Sequence, residues 1–354
     1  MGNDGKPRPG YDRWVAFDGH GRLTDPRLNV DGTYEQRAGY MTDILNDEAL
    51  AFLERPRTKP FSLFFAHKAV HPDAEQAADG TLSVLAGYVA AERHRDLYKG
   101  RVFPKTPNML PPDQVIKAKP AWREAFELKQ SARAQAVLAS IHAGQQEEIR
   151  LRAAMMASVD EGLGRILEVL ERSGELDRTF ILFFGDNGYF FGEHGLGPER
   201  RFAYEAGIRS PFVVRYPPLV RAGTKKRELV ICQDIAPTLL ELAGATPGKH
   251  VQGRSLVPLF RGKPRAWRTS ILIEYWAEQA MPWLVGMSYK AVRTDRYKYI
   301  RWLNRGRNGE LDELYDLDRD PWELKNLAGT RAAAPVRARL QRELRRLAAD
   351  ASGL

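Results

Sequence analysis

The run Phe180-Ile181-Leu182-Phe183-Phe184 is apolar on both faces and stops abruptly at Gly185-Asp186-Asn187-Gly188. A strand wetted on one side alternates apolar and polar residues. One covered on both sides does not, so this run reads as a central strand of a helix-covered parallel sheet. In open α/β sheets ligands collect beyond the carboxyl ends of such strands, and here that end carries a carboxylate beside an amide. Asp186 and Asn187 are hard oxygen donors of the kind Ca2+ and Mg2+ take, set between glycines that let the backbone turn closely around an ion. Asp-Asn and Asn-Gly pairs also serve in ordinary turns, so these two residues alone leave turn and metal site both open.

The rest of the chain supplies layers for such a sheet. Thr42 or Asp43 caps a helix through Ile44, Leu45, Leu50 and Leu53 that stops before Pro56. Phe61-Ser62-Leu63-Phe64-Phe65-Ala66 reads as a second buried strand, delivering His67-Lys68-Ala69-Val70-His71 at its end. From Pro72 to about Gly144 the chain is polar and proline-punctuated, a long excursion over the surface. Between Gln145 and Arg172, Ile149, Ala153, Met156, Val159, Leu163, Ile166, Leu167 and Leu170 form one helical stripe, with Gly174 placed to close it. Phe212-Val213-Val214-Arg215-Tyr216 is a further strand, and Asp234 caps a helix through Leu239, Leu240 and Leu242. This order of helices and strands predicts an α/β domain over 1–264.

After about residue 265 the pattern changes to short strands joined by turns: Ile271–Tyr275, Tyr289–Arg293, Tyr297–Trp302 and Glu313–Leu317. Arg331 to Arg346 follows as a basic helix with Val336, Leu340, Leu344 and Leu347 at helical spacing. Residues 265–354 are thus expected to form a small antiparallel subdomain closed by a terminal helix.

At 354 residues the chain is long enough for two such domains. No apolar stretch approaches membrane-spanning length, and the polar start, Met1 to Gly10, lacks the apolar core of a secretory signal. The formal net charge of +9 favours anionic partners. With no zinc-finger spacing, aromatic RNP-like run or glycine-rich phosphate loop, nucleic acid is set aside as a partner. A single cysteine, Cys232, excludes intrachain disulfides and multi-cysteine zinc sites. Its apolar neighbours Leu229, Val230 and Ile231 predict a buried structural thiol. Nothing in the sequence fixes an oligomeric state.

Three polar clusters make joint chemical sense for an anionic tetrahedral substrate: His67 to His71, Asp186-Asn187, and Arg200-Arg201. A divalent cation on Asp186 and Asn187 polarises a sulfuryl or phosphoryl oxygen. Lys68 and Arg200 neutralise the others, and His71 donates a proton to a leaving oxygen. Each cluster also has a plain structural reading, as loop residues or a solvated arginine pair.

Gly185-Asp186-Asn187-Gly188 through Glu193-His194-Gly195-Leu196, Tyr204-Glu205-Ala206-Gly207-Ile208-Arg209-Ser210-Pro211, and Asp234-Ile235-Ala236-Pro237-Thr238 through Gly244 resemble the type I sulfatases of the alkaline phosphatase superfamily. Gly10-Tyr11-Asp12-Arg13-Trp14, Tyr297-Lys298-Tyr299 and Asp320-Pro321 are similar to the bacterial carbohydrate-sulfatase branch, and within it to glucosamine-6-sulfatase-like enzymes. The resemblance implies hydrolysis of sulfate esters on a sulfated carbohydrate, with Asp186 and Asn187 as Ca2+ ligands and His71 on the sulfate. Lys68 is implied as a further pocket residue. Arg200 stands four residues before Tyr204, where the family usually has a sulfate-binding lysine; Arg201 is the alternative, because Gly197-Pro198 shifts the alignment. Arginine keeps the charge but is bulkier and presents a planar fork.

Family members begin with a strand bearing two adjacent metal-binding aspartates, then a Cys-x-Pro-Ser-Arg segment whose cysteine becomes formylglycine, then Gly-Lys-Trp-His. None occurs in these 354 residues, and Cys232 lacks the Pro-Ser-Arg context. The fold is therefore expected to be alkaline phosphatase-like and N-terminally incomplete, with a Ca2+ site short of ligands, no formylglycine, and an isolated chain that is inactive or nearly so. The alternatives are a non-catalytic remnant that binds sulfated glycans and a phosphohydrolase of the same superfamily. The family is usually periplasmic or secreted.

Overall fold

The computed structural model describes residues 4–76, 82–111, 114, 119, 121, 145–196, 200–262, 266–276, 287–303 and 311–352. Gly197-Pro198 and most of 112–144 lie outside them. The chain divides into two units, Met1–Pro104 with Gly144–Thr179, and Lys105–Ala143 with Phe180–Leu354. The sequence boundary at 264/265 falls inside the second.

In the first unit, β1 (Val15–Ala16), β2 (Arg27–Val30) and β3 (Thr33–Gln36) form an antiparallel sheet in that order. Val30 pairs with Thr33 across Asp31-Gly32, both at positive φ, as a two-residue hairpin turn requires. Helix α1 (Met41–Glu54) starts at Tyr40, not at a Thr42 or Asp43 cap. Thr42 is buried inside the first turn, so its hydroxyl cannot serve as the opening acceptor. Helix α2 (Gln145–Arg172) matches the predicted stripe. It ends in a Schellman closure: Gly174 at positive φ donates to the Glu171 carbonyl, and Glu175 N–H to that of Leu170.

Helices α1 and α2 pack closely because Gly162 has no side chain. A Cβ there would overlap the Asn46 amide, which crosses from α1 to donate to the Ser158 carbonyl at 2.9 Å. The strand expected over Phe61–Ala66 does not form. Among the described residues no strand pairs with it, its backbone stays irregular, and Phe64 is 70% exposed. An apolar run becomes a strand only where a neighbour takes its N–H and C=O groups. Within the predicted excursion, β4 (Asp73–Gln76) and β5 (Leu82–Gly87) pair antiparallel.

In the second unit the run Phe180–Phe184 forms β6 (Ile181–Phe184), paired antiparallel with β7 (Phe212–Arg215) from Ile181↔Arg215 to Phe184↔Phe212. All pairings among the described residues are antiparallel. Helix α3 (Ile235–Leu242) follows Asp234, but the Asp234 carboxylate does not cap it. It is fully buried instead on the Arg268 guanidinium, accepting also from the Ile231 and Arg254 N–H groups. Cys232 corrects another expectation: it is exposed, in the short 3-10 turn Cys232–Asp234, because the chain turns there rather than continuing the apolar run as a buried strand.

The C-terminal subdomain forms as its alternation predicts. Strands β8 (Ser270–Tyr275), β9 (Tyr289–Thr294), β10 (Tyr297–Trp302) and β11 (Glu313–Asp316) make an antiparallel sheet ordered β11-β10-β9-β8. Helix α4 (Ala334–Ser352) lays Leu340 and Leu344 against Val292, Tyr299 and Leu314, with Val336 and Leu347 at the edge of that cluster. Among the described residues no helix is long and apolar enough to cross a membrane.

Candidate functional site

The site residues expected from sequence fall in both units. In the first, the chain leaving Ala66 is tied to α1: His67 Nε2 lies 2.9 Å from Asn46 Oδ1, and its ring packs on Phe65. Burial holds the His67 imidazole down to about 4, so it is neutral at ordinary pH. The Lys68 side chain turns back into its own loop, only 6% of the residue exposed, with Nζ donating to the Pro72 carbonyl at 2.8 Å. Burial brings its ammonium down to about 8 against the opposing pull of Asp73. His71 is half-buried, its N–H closing the turn onto the Lys68 carbonyl at 2.9 Å. The loop therefore brings Lys68 and His71 together.

A residue that sequence reasoning missed stands against them. The His20 ring packs on that of His71 with centroids 4.5 Å apart and Nδ1 to Nδ1 at 3.4 Å. Its one signal in the sequence is the Gly19-His20-Gly21 sandwich, an unusual confinement for an imidazole. Beyond it, Arg22 meets the buried Asp73 at 3.2 Å, fastening the turn that carries His20 to the start of β4.

In the second unit, Asp186 is exposed at the exit of β6 and Asn187 is half-buried beside it. Asp186 Oδ1 accepts the Asn187 N–H at 2.9 Å, and Asn187 Nδ2 donates to the Gly188 carbonyl at 2.6 Å. Gly188 fits where no other residue would: a Cβ would overlap the Ala206 carbonyl oxygen, and its N–H bonds the Gly207 carbonyl at 2.9 Å. The tight turn sets a carboxylate and an amide side by side at the strand exit, hard oxygen donors of the kind a divalent cation takes. Among the described residues no cluster of three or more His, Cys, Asp or Glu side chains could hold a metal, so two donors are what this segment offers.

Arg200 and Arg201 are half-buried just ahead of Phe202, Ala203 and Tyr204, which belong to the main apolar core of this unit. The Tyr289 hydroxyl donates to the Arg201 carbonyl at 2.8 Å, fixing the backbone there.

Other motif residues hold structure. Fully buried Lys298 sits between Glu205 at 2.8 Å and Glu323 at 2.6 Å. Burial pushes the Glu323 carboxyl up, but the Lys298 ammonium prevails and holds it down to about 2. His194, at φ 56, stacks on Tyr204 at 4.4 Å and lies 3.8 Å from Glu323; burial lowers it to about 4. Next to this network lies a cavity of about 580 Å3, lined in part by Asn108, Glu193, Glu205, Arg209, Trp322 and Glu323.

Comparison with known proteins gives the family. Residues 1–245 match the family model described as Sulfatase, and residues 192–350 match N-sulphoglucosamine sulphohydrolase, C-terminal. The chain belongs to the sulfatase family, the type I sulfatases of the alkaline phosphatase superfamily. It is 29% identical over 378 residues to the N-acetylglucosamine-6-O-sulfatase of Bacteroides thetaiotaomicron, covering 90% of this chain and 64% of that protein. It is 26% identical to human N-acetylglucosamine-6-sulfatase, covering 91% of this chain and 59% of that one. The chain therefore spans less than two thirds of these relatives.

Among solved structures, one in complex with its substrate D-glucosamine-2-N,6-O-disulfate superposes with a TM-score of 0.78 at 26% identity, over 96% of this chain and 76% of the other. The phosphonate monoester hydrolase of Agrobacterium radiobacter shares the fold, with a TM-score of 0.69 at 20% identity over 98% of this chain and 66% of that one.

Proposed function

We propose that these 354 residues belong to a sulfuric ester hydrolase that removes sulfate from a sulfated amino sugar, the 6-O-sulfate of glucosamine being the first candidate. The observation that carries this reading is the Gly185–Gly188 turn, a glycine-only cradle presenting Asp186 and Asn187 at a strand exit in a chain of the sulfatase family. The names of the relatives and the glucosamine disulfate of the structural neighbour support the choice of sugar.

Asp186 and Asn187 are the residues of this chain that would hold Ca2+, two oxygen ligands whose partners come from elsewhere. When bound, that ion supplies Lewis-acid polarisation of a sulfuryl oxygen. His71 hydrogen-bonds the sulfate and delivers a proton to the leaving sugar oxygen. Lys68, brought by burial to about 8, is a proton-sensitive cation beside it. In the second unit Arg200, or Arg201 next to it, is the residue proposed to neutralise sulfate charge, with a fork that can bind two oxygens. The nucleophile is not among these residues, since the one cysteine, Cys232, precedes Gln233-Asp234 rather than Pro-Ser-Arg. We infer an exported enzyme, in keeping with the usual place of its family.

Sulfate release from glucosamine 6-sulfate, followed by ion chromatography, tests this in the chain joined to a segment bearing two aspartates and formylglycine. Asp186→Ala should lower the rate by at least about 10–100-fold, the loss that removing even an outer-shell partner of a metal ligand causes. Equal rates in Asp186→Ala and the parent would overturn the assignment. Turnover of phosphate esters with none of sulfate esters would move the reading to a phosphohydrolase.

A further inference from the structure

We propose that the cavity lined by Trp322 and Arg209 is a sugar-binding subsite that takes an uncharged pyranose, an N-acetylhexosamine unit of the glycan rather than the unit carrying the sulfate ester. The inference deepens the proposed function, and its choice of glycan rests on that reading.

Trp14, Trp267 and Trp302 each give the indole N–H to a carbonyl or carboxylate of the fold, at 2.7, 2.8 and 3.2 Å. Trp322 does not. Among the described residues its N–H has no acceptor and its ring no aromatic or cationic neighbour, and it stands 39% exposed on the cavity wall. A tryptophan with both ring and N–H uncommitted suits a ligand that has an apolar face and hydroxyl edges, which is the make-up of a pyranose.

The neighbours of Trp322 fix its place. The Asp320 carboxylate accepts the Leu324 and Lys325 N–H groups at 3.0 and 2.7 Å, and the Glu323 N–H closes on the Asp320 carbonyl at 3.1 Å. The Glu323 carboxylate is held in turn by Lys298 at 2.6 Å and by the Glu205 N–H at 2.7 Å. The turn carrying Trp322 is thus pinned on both sides, so a sugar docking there orders little of the protein.

The polar groups of the lining complement hydroxyls rather than an anion. Glu193 Oε2 accepts the Phe191 N–H at 2.6 Å, and among the described residues Oε1 has no donor. Arg209 is exposed, its one ion pair a loose 3.8 Å approach to Glu205, which leaves guanidinium N–H groups to donate. A hydroxyl both donates and accepts, and so can use a carboxylate oxygen and a guanidinium together. Glu205 and Glu323 are balanced by Lys298 and Arg293, and Glu193 by Arg209. A sulfate would find no net positive charge here and would meet the Glu193 carboxylate.

At about 580 Å3 the cavity has the size of a small-molecule site. The lining residues Ala206, Arg209, Ser210 and Pro211 belong to the segment that packs on the metal-site turn. A Cβ on Gly185 would lie 3.1 Å from that of Ser210, and the Gly188 N–H bonds the Gly207 carbonyl at 2.9 Å. A glycan unit held against Trp322 therefore rests on the same segment as Asp186 and Asn187.

The 7 tryptophans of the full chain give resolvable indole N–H signals in 1H–15N spectra, and the one lost in Trp322→Phe is that of Trp322. Titration of the parent with the β1,4-linked N-acetylglucosamine disaccharide should move that signal along a saturable curve. Calorimetry with the same disaccharide should show affinity lowered about 10-fold in Trp322→Ala and less in Trp322→Phe, which keeps a ring. A Trp322 signal unmoved by the disaccharide, or equal affinity in the parent and Trp322→Ala, would overturn the proposal. So would a larger shift with N-acetylglucosamine 6-sulfate than with N-acetylglucosamine, since the subsite would then favour the charged unit. Where Trp322→Phe misfolds, Trp322→Tyr assigns the signal equally. The titration needs no turnover, so absence of sulfate release from the chain joined to its nucleophile-bearing segment would overturn the sulfatase reading without deciding the role of Trp322.

Discussion

The four-stranded sheet β8–β11 and the two-stranded pair β6–β7 lie in the same unit, and the pair is the more apolar in sequence, yet it is the less covered. In the sheet, Ala291, Val292, Tyr299, Ile300, Leu314 and Tyr315 are buried almost completely, some beneath α4 and some against the core on the other face. In the pair, every residue of β6 is only half-buried and Val213 of β7 is 60% exposed. Apolar character alone therefore does not make a core strand; the layers above and below do. The metal-site candidates grow from the thinly covered pair, and the dense core lies in the C-terminal subdomain. Stability and function should respond to different substitutions.

The largest expected effect follows from removing Lys298, which leaves the carboxylates of Glu205 and Glu323 without their shared cation. Lys298→Met should cost about 3–5 kcal/mol, read from urea denaturation; a loss near zero would show that the network does not anchor the sheet. Leu314→Ala, fully buried between β10 and α4, should cost about 2–5 kcal/mol in the same measurement.

Acidification should act next. His67 and His194 are held at about 4 in the folded chain, against the 6.5 of an ordinary imidazole. An unfolded chain binds their protons first, so the stability they contribute is complete above about 6.5 and is lost as pH falls toward about 4. Urea midpoints across that window should decline, and His194→Gln should flatten part of the decline. Glu323, held at about 2, adds a further loss below the 4.5 of an ordinary glutamate. The smallest effect belongs to Val213→Ser on the thinly covered pair, within about 0.5 kcal/mol. A cost comparable to Leu314→Ala would mean that β7 is as well covered as the sheet.

Much of this was legible in the sequence because it is local. The α2 stripe and its Gly174 closure, the alternation of β8 to β11, and the Gly-Asp-Asn-Gly turn each declare themselves within a few residues. What was not legible depends on partners far along the chain. Phe61–Ala66 has the composition of a strand but finds no described strand to pair with. Asp234 has the type and place of a cap, yet Arg268, 34 residues on, takes its carboxylate. Cys232 follows an apolar run that turns outward instead of inward. The Glu205–Lys298–Glu323 triad joins charges that sequence spacing does not connect, and His20 meets His71 across 51 residues.

The most direct test compares sulfate release from glucosamine 6-sulfate by the 354-residue chain with release by the same chain joined to a segment carrying paired aspartates and Cys-x-Pro-Ser-Arg, matured to formylglycine. The account predicts background rates for the first and turnover, dependent on Asp186, for the second. Substantial turnover by the chain alone, or none by the joined and matured protein, would contradict it.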